Sequence, residues 1–122
     1  MNLLQTVVKV WVVSALVILA PLASAHAKLI ASDPKPGSTV HAAQAEITLT
    51  FNEKIEQAFS SMSITGSDGA VASTEKPKVD VANPVVLRLK MPQLHPGAYS
   101  VKWAVAGHDG HRRTGTFAFS VK

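Results

Sequence analysis

The octapeptide EITLTFNE, residues 46–53, alternates the apolar Ile47, Leu49 and Phe51 with the polar Glu46, Thr48 and Thr50. A period of two puts the apolar three on one face of an extended chain and the others in solvent. The segment therefore reads as a strand with one face in a core, and the same period recurs on either side of it. Upstream, AKLIAS (27–32) is a short strand closed by DPKPGS (33–38), where Pro34, Pro36 and Gly37 stop extension and force a turn. Downstream, IEQAF (55–59) suits a helical turn or bend, MSIT (62–65) a short strand, and SDG (67–69) a hairpin turn ahead of AVAST. EKPKVDVANP (75–84) is polar and proline-bounded, a loop with at most a brief edge strand. PVVLRLKM (84–91) is a strand contributing Val86, Leu87 and Leu89 to the core, and MPQLHPG (91–97) is a turn.

The last two strands are the longest. In YSVKWAVA (99–106), Tyr99, Val101, Trp103 and Val105 alternate with Ser100, Lys102 and Ala104; in GTFAFSV (115–121), Phe117, Phe119 and Val121 repeat the period. No stripe of helical period runs through the chain. About seven short strands at this spacing predict an all-β fold, an immunoglobulin-like Greek-key β-sandwich. There is no internal repeat and no sign of a second domain.

The first 25 residues read differently. Only Lys9 is charged there, and VWVVSALVILAPLASA (10–25) follows it, ending in small residues at Ala23 and Ala25 around Ser24. A basic residue, an apolar run and an A-x-A ending form a cleavable secretory signal. The apolar stretch from Val10 to Ala20 is shorter than the roughly 20 residues of a spanning helix, which disfavours the alternative of a retained anchor. The expected organisation is a signal peptide at 1–25 and one domain at 26–122. Removing 25 of the 122 residues leaves a chain of 97 that begins at His26 and carries a formal charge of about +3. Its Lys and Arg are scattered apart from Arg112 and Arg113, so a nucleic-acid groove is poorly supported. Cysteine is absent, which removes disulfides, thiolate metal sites and Cys nucleophiles.

Chemistry must then come from His, carboxylates, Met, hydroxyl groups or the chain terminus. The turn between the last two strands is AGHDGH (106–111), with Asp109 and His111 two apart and so on one side of an extended backbone. Alone, this pair is weak evidence for a metal site and reads more readily as a polar turn in which Asp caps backbone N–H groups. The predicted cleavage adds a second element: His26 at a mature N-terminus offers an α-amino nitrogen and an imidazole together. The amine, with an ordinary pKa of about 7.7–8.0, must lose its proton to coordinate. Two nitrogens from His26, one from His111 and an oxygen from Asp109 make an N,O set suited to tetragonal Cu(II).

HAKLIASDPKPGS (26–38), ITLTFNEKIE (47–56) and GAYSVKWAVAGHDGHRRTGTFAFSV (97–121) together resemble the CopC-type periplasmic copper-resistance family over nearly the whole mature chain. The resemblance implies a small β-sandwich that binds Cu(II) through an N-terminal His, an Asp and a His, here His26, Asp109 and His111. It implies a periplasmic monomer that buffers copper or hands it to a CopD-type inner-membrane protein, without catalysis. Ala104, Gly107 and Arg112 depart from the family's usual Arg, Ser and Pro at those places. Some relatives carry a Met-rich Cu(I) loop in the region of Ser61 to Met91; only Met62 and Met91 occur here, so no Cu(I) site is expected. Glu53 matches a glutamate common in the family and is expected to face solvent or support the site. His108 should point away from Asp109, and His41 and His95 should be solvated loop residues. Two other readings compete: a copper-dependent oxygenase using an N-terminal histidine brace, disfavoured by an Asp in the coordination set, and a metal-free structural or adhesion module.

Overall fold

The computed structural model describes residues 27–41, 44–73 and 75–122; the expected signal peptide at 1–25 and His26 lie outside them. Eight strands form two four-stranded sheets. They are β1 (Leu29–Asp33), β2 (Thr39–Val40), β3 (Glu46–Phe51), β4 (Ser61–Gly66), β5 (Lys78–Val79), β6 (Val86–Lys90), β7 (Gly97–Ala106) and β8 (Arg112–Val121). One sheet has the order β1-β3-β6-β5 and the other β2-β8-β7-β4. This is the strand order of an immunoglobulin constant-type sandwich whose first strand is divided between the sheets.

That division explains why eight strands stand where about seven were expected. The DPKPGS turn carries the chain from β1, antiparallel to β3, across to β2, parallel to β8. Gly37 takes a φ of 75° there, and its N–H donates to the Ala118 carbonyl at 2.7 Å, a backbone shape open chiefly to glycine. IEQAF supplies one 3₁₀ turn, Gln57–Phe59. AVAST, expected to follow the hairpin turn, contributes only an isolated bridge between Val71 and Thr65. Its Val71 is exposed and only the small Ala72 packs against the core, so this edge has little apolar surface to bury.

The period-two reading holds at the centre. Ile47, Leu49, Phe51, Leu87, Val101 and Val105 are almost wholly buried, joined by Ile64, Leu89, Phe117 and Phe119. Each contributes roughly 1.5–3 kcal/mol of transfer free energy before chain entropy is charged against it. The two sheets meet at Phe51 and Trp103, edge to face with centroids 5.2 Å apart and planes at 70°. Trp103 opposes Gly115 in the β7–β8 register, and a β-carbon at Gly115 would overlap the indole, lying 2.8 Å from its Nε1. Glycine is required at 115 by the ring that occupies its place. On the outer face of the first sheet, Arg88 bridges Glu46 at 2.7 Å and Asp80 at 2.9 Å. Asp80 also accepts N–H bonds from Ala82 and Asn83, closing the turn that leads into β6.

At one end of the sandwich β3 and β7 finish while β6 and β8 begin. There the Lys28 N–H donates to Asn52 Oδ1 at 2.7 Å, that of Ile55 to the Pro84 carbonyl at 3.1 Å, and Ile55 bridges Gly107. All the connections that could surround Asp109 and His111 therefore converge on this end.

Two outcomes follow from the packing. Gly115→Ala should cost about 1–3 kcal/mol by overpacking, read as a lower urea midpoint with a shift in tryptophan emission. Arg88, and after it the Asn83 and Ala82 N–H groups, hold the Asp80 carboxyl below its ordinary value of 3.8. A depressed carboxylate stabilises the fold above its unfolded pKa, and the contribution is lost as pH falls through the folded value. Asp80→Asn should thus be less stable than the parent at neutral pH, with the gap closing only below about pH 4; a gap independent of pH would refute the pairing.

Candidate metal site

The β7–β8 connection is a tight turn, not the extended segment that the spacing suggested. The Gly110 N–H donates to the Gly107 carbonyl at 3.0 Å, and Gly110 takes a φ of 77°. Asp109 and His111 are nevertheless brought to the same side. The His111 backbone N–H donates to Asp109 Oδ1 at 3.0 Å, while His111 Nδ1 stands 3.0 Å from Asp109 Oδ2. Asp109 thus does both things the sequence left open: it caps the turn, and it pairs with the imidazole. Both residues are exposed at the rim of the sandwich.

His108 lies on the other side of this turn. Its Nδ1 meets Glu56 Oε1 at 2.7 Å, and the Glu56 N–H donates to the Ala106 carbonyl, so these two contacts pin the 52–60 connection to the end of β7. Nothing in the sequence marks Glu56 as the partner of His108, because the two are brought together only by the bridge between Ile55 and Gly107. His41 and His95 are exposed, as expected; the His95 carbonyl accepts the Tyr99 hydroxyl at 2.7 Å. Met62 is core and Met91 packs against the core.

Glu53 is more engaged than a solvent-facing residue. It is half-buried, and its Oε1 is buried without a hydrogen-bond partner. The carboxylate lies over Gly107: a β-carbon there would fall on Oε1, 2.9 Å from the carboxyl carbon and 3.4 Å from Asp109 Oδ1. The missing side chain of Gly107 is what lets two carboxylates gather at one spot. A buried carboxylate oxygen with no donor is costly, and the nearby charge of Asp109 adds to the cost. Such a spot favours a cation. Among the described residues no group of three or more His, Cys, Asp or Glu is disposed to hold a metal; the turn supplies a carboxylate and an imidazole, and His26 falls outside the described residues.

A small immunoglobulin-type sandwich that carries a carboxylate–imidazole pair on one end turn, backed by a buried carboxylate, has the form of a metal-ion-binding domain. Residues 29–122 match the CopC domain profile, and the chain belongs to the CopC domain family. Protein YobA of Escherichia coli K12 is 36% identical over 106 residues, covering 86% of each chain. The crystal structure of CopC from Methylosinus trichosporium OB3b superposes with a TM-score of 0.75 at 34% identity, covering 80% of this chain and 94% of that one. PcoC of Escherichia coli, described as a methionine rich copper resistance protein, gives 0.66 at 30% identity, covering 80% of this chain and all of that one. The fold expected from the strand period is thereby the fold of the family.

The overlap at Gly107 is open to a double-mutant cycle. Gly107→Ala should cost about 1–3 kcal/mol, and adding Glu53→Ala should recover most of it, since the clash is between those two positions. Additive losses in chemical denaturation would show that the carboxylate does not lie over Gly107.

Proposed function

We propose that this protein binds Cu(II) in the periplasm, as a buffer or carrier that takes part in copper homeostasis or resistance and catalyses no reaction. The observation that carries this reading is the Asp109–His111 pair held by the β7–β8 turn of a CopC-family sandwich. Cleavage after Ala25 would place His26 first in the chain, so that its amine and imidazole join Asp109 and His111 as ligands. Two donors at about 2.0 Å from a metal and at right angles to each other lie roughly 2.8 Å apart; the 3.0 Å between His111 Nδ1 and Asp109 Oδ2 is compatible with two adjacent positions on one tetragonal ion. Glu53 adds negative charge beside the pair without being needed as a ligand. A hard-to-soft argument supports Cu(II) over Cu(I): the donors are nitrogen and oxygen, and Met62 is committed to the core.

A carrier must also release its ion. Ligands drawn from the chain terminus and a single surface turn leave the metal at the rim, where an inner-membrane acceptor of the CopD type could reach it. An oxygenase is less well supported, because Asp109 would take a position that oxygen chemistry keeps open.

Copper titration of the exported protein should give one equivalent with a nitrogen-rich tetragonal electron paramagnetic resonance signal. Asp109→Ala and His111→Ala should each weaken binding by about tenfold or more, by analogy with the loss of a ligand's partner, with little change in thermal stability. One residue added before His26 converts the amine to an amide and should weaken binding sharply. Unchanged affinity in that extended chain would remove His26 from the ligand set, and mass spectrometry of the exported chain checks the cleavage directly.

A further inference from the structure

The end of the sandwich that bears Asp109 and His111 has a surface that metal binding does not account for. Its carboxylates are engaged: Glu56 with His108, Asp109 with His111, Asp80 with Arg88, while Glu53 is half-buried. Its cations are not. Lys28 precedes β1, Lys54 sits in the connection that bridges Gly107, and Arg112 and Arg113 open β8; all four are exposed, and none has an ion-pair partner among the described residues. Four positive charges without an ion-pair partner among the described residues, beside a site for a divalent cation, oppose its approach and are open to a different partner.

The same end collects exposed apolar side chains. Of the four large hydrophobics left in solvent among the described residues, Val81, Phe59 and Ile30 belong to it, and Val71 lies at the opposite end. Val81 is 96% exposed at the tip of the turn that Asp80 closes through the Ala82 and Asn83 N–H groups. That turn hydrogen-bonds to Phe51 and Ile55 through the Val85 and Pro84 carbonyls. Phe59, 63% exposed, sits on the 3₁₀ turn tied to β7 by the Glu56 N–H. Ile30 lies at the bulge of edge strand β1, just after Lys28. These side chains stand on three separate segments. A protein partner would need a matching pocket for each, whereas a lipid headgroup layer accepts single protruding side chains together with cations that meet its phosphates.

We propose that this end of the sandwich seats on an anionic phospholipid surface, with Lys28, Lys54, Arg112 and Arg113 at the headgroups and Val81 and Phe59 entering the interface. The attachment is peripheral and does not depend on copper, so it is tested on metal-free exported protein whose mass shows that residues 1–25 are gone. The protein is sedimented with vesicles of phosphatidylcholine alone and of phosphatidylcholine mixed with phosphatidylglycerol. It should bind the mixed vesicles only and be released by salt. At about fivefold per basic side chain, the variant Lys28→Gln/Lys54→Gln/Arg112→Gln should bind roughly a hundredfold more weakly. The variant Lys35→Gln/Lys90→Gln/Lys122→Gln removes the same charge at the opposite end and should bind like the parent. Val81→Ser with Phe59→Ser should release at lower salt than the parent. Circular dichroism checks that these surface variants are folded. Equal losses in the two triple variants would assign the attraction to diffuse net charge and overturn the proposal. Failure to bind mixed vesicles would overturn it too, pointing to an acidic protein partner; neither result touches Cu(II) binding, which is read separately by paramagnetic resonance.

Discussion

The pairing of β7 with β8 is the constraint on which the rest of this structure depends. Ten residues of each strand are matched one for one, from Gly97 opposite Val121 to Ala106 opposite Arg112. In this register Val101 and Phe117 point inward together, as do Tyr99 and Phe119, and Trp103 lies over the bare backbone of Gly115. Because side chains alternate across a strand, a slip of one residue would turn all of these outward. The same register leaves five residues, 107–111, for the turn. A connection that short has little conformational freedom, so Asp109 and His111 are held in place by strand pairing rather than by a separate scaffold.

The first sheet, β1-β3-β6-β5, and the connection that leaves β3 reach this hairpin through two contacts of different kinds. Phe51 meets Trp103 in the core, a non-directional contact worth mainly its buried area plus a modest edge-to-face gain. At the rim, Ile55 bridges Gly107 and the Glu56 carboxylate meets His108. The rim contacts add little stability, since the pair is exposed to solvent. What they do is place: they bring Glu53 over Gly107 and so build negative charge beside Asp109. Stability and site are thus separated along the length of the sandwich, with the apolar layer through its middle and the charged groups at one end.

Much of the fold was legible because period two is a local property. Ile47, Leu49 and Phe51, and again Phe117, Phe119 and Val121, show their buried face in any window that contains them. The division of the first strand was not legible. Prolines at 34 and 36 announce a turn, but whether the chain returns to the same sheet or crosses to the other depends on β8 offering a parallel edge to Thr39 and Val40. Similarly, AVAST and MSIT look alike as short β-prone segments. Only MSIT lies against β7 with Met62 and Ile64 facing the core, and only it forms a strand.

The candidate site divides along the same line. Asp109 and His111 are near neighbours in the chain, so their proximity was readable, and the sequence by itself determined the strand faces, the glycine-bounded turn and the donor types the turn can offer. It also carried the signal-like leader that makes His26 a potential first residue. Only the tertiary structure decided that the 107–111 segment is a tight turn, that His108 is taken up by Glu56, and that Glu53, more than fifty residues away in the chain, lies over Gly107. The physical reason is that period and turn chemistry act over a few residues, whereas the meeting of two loops requires both sheets to have closed on a common core.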